Sequence, residues 1–344
     1  MSEAPAAAAL AFRGLSAATV VVEDMHRAIA RRTPARASGH DHLAPLVYRA
    51  VRDVIGGIGH GAEAALRRAP VRPLTAAPAG LQAVAAVNAL LGDRLEEEGS
   101  PLALGMTAHG DARTRPRLAV LVHGLGETER AWRRRAAVHG GMYADRVLHG
   151  LGYDTIAVRY NTGAPILENG RRLCALVAGH DADEIVLVGH SMGGLVARAA
   201  AHGSRSWTER LRAVVCLGSP HHGAPLEKAV TAASSLLARL PETAPGASIL
   251  DVRSRGIRDL RVGVGELPAP EGAQLYGVAA CITRDPRHLV GRLAGDLLVR
   301  EDSASGRHAA TPLPFDAVEC VGGLDHFDLL NHPEVDPLLR KWLT

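Results

Sequence analysis

The chain has 344 residues, 47% hydrophobic and 22% charged, enough for one large domain or two smaller ones with a core. That apolar fraction excludes a disordered chain, and no apolar run reaches the ~18–20 residues of a bilayer-spanning helix. The net charge is +3 and aromatics are only 3%; the basic residues are arginines spread along the chain, with lysine only at Lys228 and Lys341. Without a basic stripe interleaved with aromatics, no nucleic-acid partner is expected.

The N-terminus, Met1-Ser2-Glu3-Ala4-Pro5, is acidic. The apolar stretch Ala6 to Phe12 lacks the positive residues that precede a secretory signal, so a cytoplasmic location is expected. Three helical stripes follow. Leu15, Ala18, Val22, Met25 and Ile29 share one face, as do Leu43, Val47, Val51, Val54 and Ile58, and then Leu81, Val84, Val87, Leu91 and Leu95. Pro70, Pro73 and Pro78 separate the second stripe from the third. Each apolar face needs a cover: another helix, the next domain or a second copy of the chain. Residues 1–112 therefore read as an N-terminal helical region, with His109 to Pro116 as a linker.

From residue 113 to 344 the pattern changes to short β-branched runs alternating with helical segments. Strands are expected at Leu118–Val122, Thr155–Tyr160, Glu184–Val188, Ala213–Leu217, Leu275–Ile282 and Ala317–Val321. Helices are expected near Met142–Leu151, Ile166–Ala178 and Leu195–His202. This alternation specifies an α/β fold with a mostly parallel sheet covered on both faces. The cysteines, Cys174, Cys216, Cys281 and Cys320, are widely spaced and form no C-x-x-C pair. Buried free thiols are expected rather than a disulfide framework.

The strand Glu184–Val188 runs into Gly189-His190-Ser191-Met192-Gly193-Gly194 and then into a helix. This is G-x-S-x-G in a strand–turn–helix context. The chemistry explains the spacing. A nucleophilic Ser191 must project from a sharp turn, and Gly189 and Gly193 allow strand and helix to approach closely beside it. The Met192 N–H then points to where an oxyanion forms, at the positive end of the helix. The strand Leu118–Val122 ends in His123-Gly124-Leu125-Gly126. Its loop can supply a second N–H, assigned to Leu125, with Gly124 permitting close passage and His123 supporting the loop. A phosphate loop would need a complete G-x-G-x-x-G or a P-loop lysine, and neither is present.

In a sheet of this kind the acid follows the serine and the histidine comes last. Asp296, in Gly295-Asp296-Leu297-Leu298-Val299, is the leading acid; Asp285, Glu301 and Asp302 are rivals. His326 sits on the loop after the last strand, where a general base belongs, with His332 and His308 as alternatives. Asp325 and Asp328 read as loop or cap residues.

With these motifs in place the chain resembles α/β-hydrolases of the lipase/esterase type, and within them the bacterial proteins of the GPI-inositol-deacylase-like branch. The resemblance also rests on Gly218-Ser219-Pro220-His221-His222-Gly223, on Ser303-Ala304 and on His326-Phe327-Asp328-Leu329-Leu330, and it covers residues 117 to about 342. It implies Ser191 as nucleophile, Asp296 as acid and His326 as base. One departure is Leu297, where many relatives carry glycine after the aspartate.

More than fifty residues separate the strands ending at Leu217 and beginning at Leu275, which predicts a cap insertion at about 224–272. Val230, Ala233, Leu236, Leu237 and Leu240 form an apolar stripe there. Leu236, Leu237 and His221 are expected to contact substrate. Adjacent His221 and His222 could bind a metal, but neighbours on an extended turn point apart, so no metal and no cofactor are expected. The expected activity is hydrolysis of a small-molecule or lipid-like ester through an acyl-enzyme. Acyl transfer or perhydrolysis with the same residues, or a non-catalytic scaffold whose N-terminal helices recruit a partner, are the competing readings; a homo-oligomer through the N-terminal helices is a further expectation.

Overall fold

The computed structural model describes residues 2–30, 40–68, 72–111, 116–203, 205–223, 254–264, 267–268, 270–285, 288, 295–307 and 312–344. Among them, seven strands form one sheet: β1 (Thr107–Asp111), β2 (Arg117–Val122), β3 (Tyr153–Arg159), β4 (Glu184–His190), β5 (Leu211–Leu217), β6 (Gln274–Cys281) and β7 (Ala317–Gly322). Their order is β1-β3-β2-β4-β5-β6-β7. β1 runs antiparallel to β3, and every other neighbouring pair is parallel.

Alternation along each strand builds two cores. Val120, Val122, Ile185, Leu187, Val214 and Cys216 face one side. Ala119, Leu121, Val186, Val188, Ala213, Val215 and Leu217 face the other. Strands buried on both faces read as continuous apolar runs, which is why the central strands are plain in the sequence.

The first core is covered by helices α4 (Ile166–Ala178) and α5 (Met192–Ala200), later in the chain than the N-terminal helices α1 (Glu3–Ala30), α2 (His40–Arg68) and α3 (Pro78–Glu97). The short helices α6 (Arg205–Thr208), α7 (Arg255–Val262) and α8 (Glu301–Ala304) precede α9 (Asp336–Leu343), which covers the second core. There Trp342 stacks on Tyr276 of β6 with ring centroids 4.8 Å apart. All four cysteines carry free thiols, three of them buried. Among the described residues no helix is long and apolar enough to cross a membrane.

Two sequence expectations need correction. The helix expected near Met142–Leu151 is instead a π turn, Ala144–Leu148, followed by a 3-10 turn, His149–Leu151. Gly152 (φ 88°) stops it, and tethers to the C-terminal segment pull it out of helical register: Tyr143 N–H and O–H donate to Asn331 Oδ1 and Leu329 O, and Arg146 pairs with Asp336.

The second correction concerns the linker expected at His109 to Pro116. Residues 109–111 of the expected linker, with 107 and 108 before them, form edge strand β1, while 112–115 lie outside the described residues. Thr107-Ala-His-Gly-Asp has no apolar run because an edge strand pairs through its backbone. Nor does α3 stand apart from the sheet domain. Asn161 Nδ2 donates to Gly92 O at 2.9 Å, and Arg172 makes a two-pronged pair with Glu96 at 2.6 and 2.9 Å. Ser254 Oγ donates to Ala89 O at 2.6 Å. A Cβ on Gly92 would lie 1.9 Å from Asn161 Oδ1, so the helix backbone itself is in contact with the loop.

The start of α1 packs on α3 through Ala6, Leu81, Val84, Ala85 and Leu95. Further along, Leu15, Val20, Val51, Val54 and Ile58 of α1 and α2 are exposed.

Candidate active site

The site lies at the C-terminal ends of β2, β4, β5, β6 and β7. β4 turns into α5 at Ser191, which adopts φ 54° and ψ −124°. For a residue with a Cβ this is strained backbone. The turn is held by neighbours: Ser191 N–H donates to Leu217 O at 2.8 Å, and Gly194 N–H donates to Ser191 O at 3.1 Å. A Cβ on Gly193 would lie 2.1 Å from Val122 O, and one on Gly189 would lie 2.3 Å from Gly194 N. Both glycines are therefore dictated by the approach of α5 to β2 and β4. A strained serine between a central parallel strand and a helix, in a sheet whose antiparallel edge strand leads an otherwise parallel order, decides the fold. The chain has a fold of the α/β-hydrolase type.

The model of the PGAP1-like alpha/beta domain family matches residues 172–244, a span containing β4, the Ser191 turn and α5. None of the curated proteins compared matches the sequence. Among solved structures, the chain is similar to the mature form of the Bacillus licheniformis lipase BlEst2, with 19% identity over 70% of this chain and 98% of that one, and a TM-score of 0.45. It is also similar to naproxen esterase from Bacillus subtilis, with 12% identity over 78% of this chain and 99% of that one, TM-score 0.44. A third is a lipase-esterase related protein from Clostridium acetobutylicum, with 13% identity over 70% of this chain and 100% of that one, TM-score 0.43.

The loop after β2 approaches the serine closely. A Cβ on Gly124 would lie 3.1 Å from Ser191 Cβ. Gly124 N–H donates to Glu127 Oε2 at 2.8 Å and Gly126 N–H to Thr162 Oγ1 at 3.1 Å. Between them, Leu125 N–H has no acceptor among the described residues. Met192 N–H, the first of α5, has no intrahelical acceptor by helix geometry. His123 is fully buried, stacks on Tyr160 at 4.4 Å and donates from Nδ1 to Gly124 O at 2.9 Å. Burial pushes its pKa down to about 4, so it braces the loop as a neutral ring.

His326 and Asp296 meet after β7 and β6. His326 Nδ1 lies 2.6 Å from Asp296 Oδ2, and His326 N–H donates to Asp296 O at 3.1 Å. Asp296 Oδ1 accepts the N–H groups of Leu298 and Val299 at 3.0 and 2.7 Å. Burial would raise the carboxyl pKa, but the His326 charge and these hydrogen bonds outweigh it and hold Asp296 below the ordinary value. Burial would lower His326, but the Asp296 charge and hydrogen bond, with Glu127 and Asp325 adding, carry it above the ordinary value.

The ring of His326 sits against Gly218 at the end of β5: a Cβ there would lie 3.3 Å from His326 Nδ1. Gly218 directly follows Leu217, whose carbonyl holds Ser191. The serine and the histidine thus share one end of the sheet, although no hydrogen bond joins the Ser191 hydroxyl to His326 among the described residues.

Three of the rival acids and bases are engaged elsewhere. Asp302 Oδ1 accepts Ser303 N–H, Glu301 pairs with Arg307, and His332 Nδ1 accepts Glu334 N–H. Asp325 closes its own loop by accepting from Phe327 and Asp328. Leu236, Leu237, the rest of the apolar stripe and His308 lie outside the described residues.

His221, expected to contact substrate, packs against Arg198 and Phe315. It is wholly buried, accepts from Arg198 Nη1 at 3.0 Å and meets Phe315 edge-on. Burial, with Arg198 beside it, pushes its pKa well down, and it serves as a neutral partner for a buried guanidinium.

Sequence reasoning missed Glu127, Thr162 and Gln82. Gln82 of α3 donates from Nε2 to Gly126 O at 2.8 Å, so the N-terminal region helps shape the loop after β2. None of the three lies in a recognisable motif.

Proposed function

We propose that the protein is a carboxylic ester hydrolase that works through Ser191, His326 and Asp296. The observation that carries this reading is the buried Asp296–His326 pair on the sheet end that presents the strained Ser191 turn. In this reading the Ser191 hydroxyl turns onto His326 Nε2 as substrate enters, because hydrogen bonds of this kind tighten in the substrate complex.

Ser191 Oγ attacks the ester carbonyl and its proton passes to His326 Nε2. Asp296 keeps the proton on Nδ1 and stabilises the imidazolium. The N–H groups of Leu125 and Met192 hold the oxyanion, each contributing about 3 kcal/mol to the transition state. Collapse breaks the ester C–O bond, and the leaving alcohol takes the proton from His326. Water then attacks the acyl-serine, giving its proton to His326, and the acid leaves as Ser191 is reprotonated. Leu236 and Leu237 of the cap insertion are the proposed contacts for the acyl chain.

Ser191→Ala is expected to abolish turnover of p-nitrophenyl esters while circular dichroism shows an intact fold. A folded, purified Ser191→Ala protein with wild-type turnover contradicts the assignment.

A further inference from the structure

We propose that Glu127 and His190 form a positioning pair that joins the oxyanion loop to the loop carrying His326. The inference rests on the ester-hydrolase reading above.

Glu127 lies in the loop after β2 and is 8% exposed; His190, the last residue of β4, is wholly buried. Glu127 Oε2 accepts Gly124 N–H at 2.8 Å and faces His190 Nδ1 at 3.4 Å. On the far side of the ring, His190 Nε2 lies 3.0 Å from the carbonyl oxygen of His326. A carboxylate and a carbonyl can only accept, so the ring satisfies both by donating from both nitrogens. A continuous link results, from Gly124 N–H through Glu127 and His190 to the His326 backbone.

Each end of this link adjoins a group of the proposed chemistry. Gly124 immediately precedes Leu125, whose N–H is the proposed oxyanion donor. The peptide of His326 is held on one side by His190 and on the other by its N–H bond to Asp296 O at 3.1 Å. There is little slack, since a Cβ on Gly124 would lie 3.0 Å from Glu127 Oε2 and 3.4 Å from His190 Nδ1.

A buried carboxylate is costly unless paired, and an apolar side chain would fill the loop without that cost. Glu127 is kept ionised nonetheless. Burial acts to raise its pKa, but the hydrogen bond and charge of His190, the His123 ring and the Gly124 N–H hold it at about 2. A hydrogen-bonded link spanning two loops suits a site whose donors must stay in fixed register.

The test compares wild type with Glu127→Ala, Glu127→Gln, His190→Ala and the Glu127→Ala/His190→Ala double variant. Turnover of p-nitrophenyl butyrate is measured per active site titrated with a fluorophosphonate. Glu127→Ala and His190→Ala are each expected to lower kcat about 10–100-fold with KM within about two-fold. The double variant loses no more than the worse single one, since both break the same link. Glu127→Gln, which keeps an oxygen for Gly124 N–H, recovers part of the loss and guards against a variant that fails to fold. Singles whose kcat per site stays within two-fold of wild type overturn the proposal, as do losses that fall on KM or that multiply in the double variant. An inactive wild-type protein overturns the ester-hydrolase reading instead.

Discussion

Asp296 Oδ2 lies 2.6 Å from Nδ1 of His326, with both side chains buried, while the other oxygen of Asp296 is occupied by Leu298 and Val299 N–H. Asp296 is thus held on both carboxylate oxygens and fixes the Nδ1 side of the His326 ring. Asp296→Asn keeps the shape but removes the charge and offers a donor where an acceptor is needed. By analogy with serine hydrolases, kcat is expected to fall about 10⁴-fold with the fold retained. Steady-state kinetics on the folded variant check this; a loss under ten-fold points to a different acid.

The pH profile follows from the same contact. Burial opposes the charged ring, but the Asp296 charge and hydrogen bond, helped by Glu127 and Asp325, raise the His326 pKa above its ordinary value. A general base must be neutral, so activity is lost as pH falls through the raised value. The acid limb of kcat/KM for p-nitrophenyl esters is expected at a pH above the ordinary histidine value of about 6.5, and to move downward in Asp296→Asn. An acid limb clearly below 6.5 in the wild type contradicts this.

Leu297 holds φ 80° and is 48% exposed. The left-handed backbone costs a leucine about 1–2 kcal/mol, whereas glycine accepts it without a Cβ clash but gives back about 0.5–1 kcal/mol in unfolded-chain entropy. Leu297→Gly is expected to raise stability by about 0.5–1 kcal/mol and leave kcat unchanged, as read by urea unfolding and ester turnover. Destabilisation beyond about 1 kcal/mol would mean that the leucine side chain has a packing role.

The central strands and the Ser191 turn were legible because two-sided burial writes itself as continuous apolar runs and close packing as paired glycines. The strand–turn–helix context of G-x-S-x-G makes Gly189 and Gly193 points of close approach, and a Cβ at these positions would lie 2.3 Å from Gly194 N and 2.1 Å from Val122 O. β1 was not legible: Thr107–Asp111 pairs with β3 through backbone groups, which leave no mark in side-chain type. Glu127 was illegible for a related reason. A lone glutamate in a loop looks solvated until the fold brings His190, 63 residues along the chain, against it. The contact of His221 with Arg198, 23 residues earlier in the chain, is illegible for the same reason.

The most direct measurement of the central claim is covalent labelling with a fluorophosphonate, followed by peptide mapping by mass spectrometry. The account predicts a single adduct on Ser191, formed in step with loss of esterase activity and slowed strongly in His326→Ala. An unlabelled protein, or an adduct on a different residue with Ser191 unmodified, would contradict it.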